Sequence, residues 1–512
     1  MERGAWWQAR WVAVAAVVAC ALPLLYPTIP PLTDLAGHLG RYRVMLDGGE
    51  GPLAQWYRFE WRPVGNLGVD LLVAMLGPIT GLEAAAKAAA VLIAAGTAGA
   101  CLAVSRAAHG RVSPFAFLAL PFVYNHVFLM GLVNYALSMA VALGGFALWL
   151  RMREGAGRGV AVGLVGAVAW VAHVFGWAVL CILVAAAEFA RGRPLRRAVP
   201  EALPLAAPAL FLLLWRSDGG GATFGWFSLE AKAVALLTAL RDRWMGWDLL
   251  SIGVVTGVLA WAWRSERVEA SKPVLWGAGG LSAAFLLLPG WLFGSAFADL
   301  RLAPYAVTVL LLSLRPTAEP RWLAPAALAF AGARIGGAAL SLALYSHDFD
   351  RRLAALEHVR PGARVASVVR SECDAPWRAH RLDHLGGVAM ARRRVFSNEQ
   401  WLLPGAALMT VRHDAAGAFR ADPSQLVACD EARADPDFAR VLAGVPRGAF
   451  DYLWVVDGPA RVAVPEGARL LWRDGGSALW ALERQRGPAQ HDEPAPRSRY
   501  ATRESYTPPL GR

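Results

Sequence analysis

Eleven apolar segments within the first 345 residues constrain the fold more than any other feature of this chain. Hydrophobic residues make up 56% of the sequence and charged residues only 18%, a balance too apolar for an ordinary soluble protein. An apolar helix of about 20 residues crosses the ~30 Å hydrocarbon layer of a bilayer. The sequence therefore predicts a mainly α fold, with a polytopic helical membrane domain over residues 1–345. Its predicted spans lie near 11–27, 83–104, 113–126, 132–150, 159–173, 175–190, 199–215, 246–263, 274–292, 302–315 and 322–344.

The basic residues predict how this domain is oriented. The formal net charge is +12, and arginines cluster in alternate loops around Arg106, Arg151, Arg191, Arg264 and Arg315. Loops rich in Lys and Arg stay in the cytoplasm. The pattern predicts a multi-pass protein of a bacterial inner membrane, with a cytoplasmic N-terminus and, after an odd number of spans, a periplasmic C-terminal domain. There is no basic stripe interleaved with aromatic residues, which argues against nucleic acid as a partner.

The first outer loop, 28–82, is long and has structure of its own. Pro30 and Pro31 end the first span, because proline cannot continue a helix. Thr33 is expected to cap a new helix that Gly48-Gly49 then terminates. Asn66–Ile79 is apolar but too short for an untilted span, so it predicts a helix lying at the interface. Two further outer loops follow at 216–245, with an amphipathic helix over Leu229–Trp244, and at 293–301.

The chain changes character after residue 345. Residues 346–484 read as a small soluble α/β domain, and the tail 485–512 is rich in Arg, Pro, Ser and Glu and is expected to be disordered. The predicted strands are Arg364–Val369, Ala407–Val411, Tyr452–Val456 and Ala478–Leu482, and the predicted helices are Asp348–Val359 and Asp437–Leu442.

The cysteines do not have the spacing of a metal site. Three of the five lie in apolar segments, where a thiol packs as a small apolar group. Cys373 and Cys429 lie in the soluble part, and a disulfide between them is open if that part is periplasmic.

Asp34 and His38 are the most unusual ionisable residues of the first outer loop. Asp34, His38 and Arg41 share one face of the predicted helix, since residues three or four apart are neighbours. Ionisable groups at the edge of a bilayer often have a function. Asp34 is either a first-turn acid that complements the helix dipole, or a functional residue that acts as a general base or as an anchor for a substrate hydroxyl. His38 either forms a hydrogen bond with Asp34, the favoured interpretation, or joins it in holding a divalent metal ion.

The segment from Pro30 to Leu39 resembles the GT-C class of integral-membrane glycosyltransferases. Enzymes of that class carry an acidic residue early in a long first outer loop, directly after the first helix. The order of parts is also similar: an interfacial helix before the second span, about ten or more spans, and a C-terminal domain on the outer side. The chain is closer still to uncharacterised bacterial membrane proteins of this layout, through the strings Gly65–Asp70, His384–Gly386 and Phe396–Trp401.

The resemblance implies transfer of a hexose or pentose from a polyprenyl-phosphate donor to an acceptor at the outer face of the membrane. Such chemistry needs a carboxylate for the acceptor hydroxyl, which would be Asp34, and cations for the leaving phosphate. Arginine matches phosphate oxygens with two donors at once. The candidate substrate-binding residues are His38, Arg41, Arg43, Arg62, Asp299, Arg301 and Tyr305.

The assignments of Asp299 and Arg301 have a structural alternative. The two side chains could form a local ion pair at a helix start, which is worth little at a surface.

The C-terminal domain has one further group of ionisable residues. His380, Asp383 and His384 lie close together in sequence and are interpreted as a solvated loop cluster.

A non-catalytic assembly subunit and a lipid or polysaccharide transporter are the alternative functions. A transporter would favour internally repeated halves and helices broken near the midplane of the membrane. The sequence shows no repeat of fixed period, and its polar residues collect at the outer rim. The expected partners are the bilayer and a polyprenyl-phosphate-linked sugar, with the oligomeric state left open.

Overall fold

The computed structural model describes residues 6–214, 223–292, 295–318, 320–370, 377–402, 408–427, 436–459 and 467–482. Two predictions fall outside these residues, namely the disordered tail at 485–512 and the Cys373–Cys429 disulfide. The described cysteines, all in the membrane domain, are free thiols.

Helices dominate the chain up to residue 353, as the apolar segments predict. They are α1 (Arg10–Ala21), α2 (Thr33–Leu46), α3 (Gly68–Thr80), α4 (Leu82–His109), α5 (Pro114–Ala119), α6 (His126–Leu129), α7 (Val133–Arg151), α8 (Ala156–Ala172), α9 (Val174–Ala190), α10 (Leu195–Ala206), α11 (Ala209–Leu214), α12 (Leu229–Leu237), α13 (Met245–Arg264), α14 (Lys272–Leu287), α15 (Ala303–Leu312) and α16 (Leu323–Leu353). Each predicted span has a helix or a pair of helices at its position, which confirms the helical fold class.

Four helices of the described residues are long and apolar enough to cross a membrane: α4, α7, α13 and α16 with the 3₁₀ turn that follows it. The other apolar helices have 10–17 residues, so the number of eleven spans remains a prediction. Large apolar side chains stay exposed on the helical surface, as at Trp263 (86%) and Leu164 (66%). Such a surface suits lipid tails, which are as apolar as leucine.

Prolines break two of the predicted spans. Pro121 lies in a 3₁₀ segment between α5 and α6. Pro200 and Pro204 lie inside α10, which ends before α11 begins. The cause is the missing N–H of proline and the clash of its ring with the preceding turn.

The first outer loop folds as α2, an extended stretch and α3. α2 begins at Thr33 itself, and the residue before it, Leu32, occupies the cap position without a side-chain hydrogen bond, so the predicted Thr33 cap is wrong. The backbone N–H of Asp34 instead donates to the carbonyl of Met130 at 2.9 Å. An orphan donor of the first helical turn is therefore satisfied from another part of the membrane domain.

In the second outer loop, helix α12 ends at Leu237 and is shorter than predicted. The chain then turns so that Asp242 pairs with the buried guanidinium of Arg381. Asp242 lies within the predicted helix Leu229–Trp244. Its ion pair with Arg381 is a tertiary contact that the amphipathic pattern does not encode, and the chain is not helical there.

The C-terminal domain is α/β, as predicted. Its strands are β6 (Arg364–Arg370), β7 (Phe396–Ser397), β9 (Leu426–Val427), β10 (Tyr452–Val456), β11 (Ala468–Asp474) and β12 (Ser477–Leu482), and its helices are α17 (Leu385–Arg393) and α18 (Pro436–Ala443). The sheet order is β11-β12-β10-β6-β7, with β9 also paired to β6. β6 is parallel to β7, β9 and β10. The predicted helix Asp348–Val359 is the end of α16 followed by a 3₁₀ turn.

Six short strands complete the set of described strands. They are β1 (Tyr57–Phe59), β2 (Val268–Ala270), β3 (Trp291–Leu292), β4 (Ser295–Ala296), β5 (Leu314–Pro316) and β8 (Met409–Val411), of which β2 pairs with β5 and β3 with β4. The remaining pair, β1 with β8, is antiparallel and joins the first outer loop to the C-terminal domain.

The first loop and the C-terminal domain also meet through helices α2 and α17. A Cβ added at Gly387 would overlap the carbonyl oxygen of Ala36, and one added at Gly40 would lie 3.1 Å from the Cα of Gly387. Only glycine permits so close an approach of two backbones. The loop and the domain consequently lie on the same side of the membrane domain, with α2 between that domain and α17.

Candidate active site between the first loop and the C-terminal domain

Asp34 lies at the start of α2, where the first loop meets both domains. Its side chain is 24% exposed, and the cation closest to it in the described structure is the imidazole of His384. The backbone of Gly131 passes directly beneath: a Cβ there would lie 2.5 Å from the Asp34 nitrogen, and its φ of +86° also favours glycine. The loop before α7 therefore fixes the position of the Asp34 backbone.

His384 approaches Asp34 from the N-terminus of α17. Its Nε2 atom lies 3.8 Å from Oδ1 of Asp34, and its Nδ1 atom lies 3.4 Å from Oε2 of Glu399. Glu399 is fully buried, and its other oxygen accepts a hydrogen bond from the Gln400 side chain at 2.7 Å. The imidazole thus lies between one partly exposed carboxylate and one buried carboxylate.

Asp34, His384 and Glu399 form a row, and burial and charge determine the protonation states of its three side chains. Burial raises the pKa of the Asp34 carboxyl to about 6, although the charge of His384 opposes the shift. Burial alone would favour a neutral imidazole, but Glu399 and Asp34 outweigh it and raise the pKa of His384 to about 10. Near pH 7 the site therefore holds an imidazolium beside a carboxylate whose pKa suits a general base.

Trp401 covers one side of the row. Its ring centroid lies 4.7 Å from that of His384 and 5.1 Å from that of His38. The ring lies against Gly37, where a Cβ would come within 2.5 Å of it. The side chain of Trp401 therefore shields the imidazole of His384, which is 5% exposed, from water.

His38 lies on the same face of α2 but is not bonded to Asp34. Among the described residues its Nδ1 atom is buried without a hydrogen-bond partner, so the predicted Asp34–His38 hydrogen bond is wrong. Burial, then the charges of Arg41 and His384, lower the pKa of His38. The imidazole is neutral and its ring packs against Trp401.

The described residues contain no group of three His, Cys, Asp or Glu side chains that could hold a metal ion. Divalent Mg²⁺ and Ca²⁺ require several oxygen ligands, and His384 occupies the space beside Asp34. The donor set around Asp34 and His38 does not fit a metal, and the chemistry below uses the side chains alone.

Arg301 is the second charged residue brought to this site. It lies between β4 and α15, only 8% exposed, and its guanidinium donates to the carbonyl of Ala296 at 2.9 Å and to Ser295 Oγ at 3.1 Å. Its Nε atom is buried without a partner, and the described residues place no carboxylate at ion-pair distance. Burial lowers the pKa of Arg301, whereas the charge of Asp34 raises it. Arg301 is thus a buried guanidinium without a carboxylate partner among the described residues, and Asp34 is the carboxylate whose charge acts on it.

Asp299 does not pair with Arg301. Its carboxylate binds the Lys232 ammonium of α12 at 2.7 Å and accepts the Leu300 N–H at 2.8 Å. Both members of this pair are buried. The local Asp299–Arg301 ion pair, the structural alternative from the sequence, is therefore absent. Asp299 instead binds the loop before α15 to α12.

Tyr305 lies beneath the loop rather than in the site. Its ring is buried in α15, 5.8 Å from the ring of Tyr135. The hydroxyl of Tyr135 donates to the backbone carbonyl of Arg301 at 2.8 Å. The two rings pack against each other, and the hydroxyl of Tyr135 fixes the backbone of Arg301.

The other predicted phosphate ligands already have carboxylate partners. Arg41 pairs with the fully buried Asp70 at 2.8 Å. Arg43 pairs with Asp47 and Arg62 with Glu60, each at 3.3 Å. The structure does not bring these three arginines next to Asp34 as free cations.

The interpretation of His384 as part of a solvated cluster is wrong, since the residue is 5% exposed. Glu399 was also missed as a site residue. Both belong to the strings His384–Gly386 and Phe396–Trp401, which were the available signal. They meet because β7 pairs with β6, which directs residues 398–401 towards the N-terminus of α17.

A buried charge network holds the turn before α17 against the membrane domain. Arg381, fully buried, pairs with Asp242 and donates to the carbonyl of Pro31 at 3.1 Å. Asp248 pairs with Arg334 of α16 at 2.9 Å. His384, three residues after Arg381, is thus fixed relative to both outer loops.

No protein-family model and no curated protein match this chain. A structural similarity exists to the crystal structure of ArnT from Cupriavidus metallidurans bound to undecaprenyl phosphate. It covers 94% of this chain and 100% of that one, with 14% sequence identity and a TM-score of 0.48. The similarity concerns the fold alone.

Proposed function

We propose that this protein is a GT-C-like glycosyltransferase of a bacterial inner membrane, which transfers a hexose or pentose from a polyprenyl-phosphate donor to an acceptor at the outer face. The observation that carries the proposal is the placement of Asp34 and Arg301 at one site with little neutralisation of either charge. Asp34 faces the imidazole of His384 at 3.8 Å but no arginine, and Arg301 has no carboxylate at ion-pair distance among the described residues. One group suits an acceptor hydroxyl and the other a phosphate.

Asp34 is the catalytic base in this proposal. The acceptor hydroxyl gives its proton to the Asp34 carboxylate while its oxygen forms a bond to the anomeric carbon of the sugar. The bond between that carbon and the phosphate oxygen breaks, and the polyprenyl phosphate leaves with the electron pair. A carboxyl with a pKa of about 6 is ionised at pH 7 and still basic enough to accept a proton.

Arg301 binds the phosphate of the donor. A buried guanidinium without an anion is costly, and a phosphate supplies both the opposite charge and acceptors for its free N–H. Its Nη2 atom is held by Ser295 and Ala296, so the side chain is already oriented before a ligand arrives. Negative charge that develops on the leaving phosphate is then stabilised without reorganisation.

An apolar surface for the lipid tail lies beside Arg301. Phe224 is bridged to Trp291 of β3, the strand paired with β4, and β4 holds the Arg301 guanidinium. The residues that follow Phe224 are exposed and apolar, with Trp226 51% and Phe227 66% exposed. A lipid phosphate on Arg301 would therefore have apolar surface for its tail nearby.

The test is transfer and donor hydrolysis by the purified protein in vesicles. Undecaprenyl-phosphate-linked hexoses and pentoses are supplied one at a time, and sugar release is measured with and without lipid extract as acceptor source. We expect release from at least one donor, and loss of at least 100-fold in Asp34→Asn, within the range of general-base contributions. Glu60→Gln is the matched control, because Glu60 is an exposed carboxylate of the same loop.

Equal activity of Asp34→Asn and the unmodified protein would overturn the assignment of the base. Absence of both turnover and bound polyprenyl lipid, the latter measured by mass spectrometry, would favour a non-catalytic assembly subunit.

A further inference from the structure

We infer that His384 of the C-terminal domain is a positioning residue of the active site, fixed by Glu399 so that its imidazole orients the carboxylate of Asp34. The inference rests on the proposed function and extends it, because it makes the soluble domain a necessary part of the site. The supporting geometry is the row Asp34–His384–Glu399, with gaps of 3.8 and 3.4 Å between the facing atoms.

The backbone places His384 in a narrow gap between α2 and β7. Gly387, on the first turn of α17, lies against α2, and a Cβ there would overlap Ala36. A Cβ at Gly386 would overlap Ser397 Oγ, so α17 is equally close to β7. The side chain of His384 therefore points into the gap between α2 and the turn that carries Glu399.

Glu399 holds the imidazole of His384 in place and does not act as a second base in this proposal. It is fully buried, and its Oε1 atom is held by Gln400, whose amide nitrogen also donates to the carbonyl of Gly37 at 3.1 Å. Asn398 locks the same turn to β6 by accepting the Ser367 N–H at 2.7 Å. These bonds leave Glu399 Oε2 directed at the imidazole, and a buried carboxylate needs such a cation.

The charges around His384 show what its loss would do. Asp34 faces it from α2, and Glu399 and Asp422 face it from the C-terminal domain, while Arg301 acts on Asp34 from the loop before α15. His38 also faces the row, as a neutral ring. Without the imidazolium, Asp34 would have two buried or nearby carboxylates as neighbours and Arg301 as its main cation.

The consequence is a measurable shift in the pH dependence of the reaction. Removal of His384 makes the ionised form of Asp34 less favourable, so a higher pH is needed to keep the base active. Rates in His384→Asn are expected to fall about tenfold near pH 5, since below both pKa values a rise of one pKa unit lowers the ionised fraction about tenfold. The loss should shrink towards pH 8.5, where Asp34 is ionised again.

The experiment measures sugar release from undecaprenyl-phosphate-linked sugars between pH 5 and 9 in vesicles. The variants are His384→Asn, His384→Lys and Glu399→Gln. The lysine variant keeps a cation opposite Asp34 and should restore part of the rate of sugar release that is lost at low pH. Glu399→Gln preserves shape but removes the carboxylate that does most to keep His384 charged. Because the charge of His384 acts on Asp34 more strongly than that of Glu399, loss of the imidazolium should lower the rate at low pH, as in His384→Asn. His380→Asn is the matched control, a histidine of the preceding turn that does not act on Asp34.

Two results separate this inference from the function itself. If Asp34→Asn is inactive while His384→Asn and Glu399→Gln show the same pH profile as the unmodified protein, His384 does not position the base and the inference fails. If Asp34→Asn retains full activity, the proposed chemistry fails first. Should His384→Asn not fold, Glu399→Gln decides the inference by the same measurement.

Discussion

The Nε2 atom of His384 lies 3.8 Å from Oδ1 of Asp34, although the two residues come from opposite ends of the chain. One belongs to the loop after the first membrane helix and the other to the C-terminal domain. The contact joins the first outer loop to the C-terminal domain, which are far apart in the sequence. It places a carboxylate of the membrane domain, the proposed base, opposite an imidazole of the C-terminal domain.

Asp34→Asn is expected to stabilise the protein above pH 6 while abolishing transfer. The folded pKa of Asp34 is raised to about 6, so its contribution to stability is greatest at low pH and is lost as the pH rises through that value. Removing the charge should recover about 1–3 kcal/mol near pH 7.5, since each pKa unit corresponds to ~1.4 kcal/mol.

The measurement is the apparent melting temperature in detergent as a function of pH. The gain of Asp34→Asn over the unmodified protein should disappear as the pH falls from about 6 to about 4. A gain that is equal at pH 4.5 and pH 7.5 would contradict the origin of the effect in the buried charge. Glu60→Gln, at an exposed ion pair, should change little at either pH.

Gly387→Ala is expected to weaken the junction between α2 and α17. The added methyl group would overlap the carbonyl of Ala36 and would contact Gly37 at 2.7 Å, and such overpacking costs about 1–3 kcal/mol. Thermal unfolding and hydrogen exchange of α2 measure the effect. Gly332→Ala is the control, because Gly332 lies in α16 with open space around it. Equal stability of the two variants would show that the helices can move apart without cost.

Arg301→Lys is expected to weaken binding of undecaprenyl phosphate by about tenfold, or about 1.4 kcal/mol. A lysine keeps the charge but cannot hold Ser295 and Ala296 while it binds phosphate, because it lacks the planar fork of arginine. Titration with the lipid in nanodiscs, followed by native mass spectrometry, measures the affinity. Arg58→Lys, at an exposed ion pair with Glu60, should bind as the unmodified protein does. Unchanged affinity in Arg301→Lys would argue against a phosphate on this residue.

Asp242→Asn is expected to release the turn that leads into His384. The Asp242–Arg381 pair is buried, and removal of one partner of such a pair costs about 3–5 kcal/mol. Replacing both by apolar residues, as in Asp242→Leu with Arg381→Met, should cost less than the single change. Limited proteolysis of the segment around residue 380 and the melting temperature report the difference. A double variant that is as unstable as the single one would show that the unpaired charge is not the cause.

The helices and most strands of this fold could be predicted because their signals are local. Apolar segments at the positions of α4, α7, α13 and α16 are long enough to span a bilayer in any context. Strands such as Tyr452–Val456 carry a continuous apolar pattern, and the structure places them as predicted. Where the prediction failed, as at the Thr33 cap and the end of α12, a tertiary hydrogen bond or ion pair replaced the local one.

The sequence by itself determined that Asp34 and Arg301 lie at the ends of apolar segments, because ionisable side chains are excluded from the hydrocarbon layer. Tertiary structure decided which charges are left without partners. Arg41 pairs with Asp70, which is distant in sequence. Arg301 has no carboxylate partner among the described residues, because Asp299 binds Lys232 instead. Only the folded chain brings His384 and Glu399 to Asp34, since that contact depends on glycine-mediated helix packing and a parallel strand pair, which no local pattern encodes.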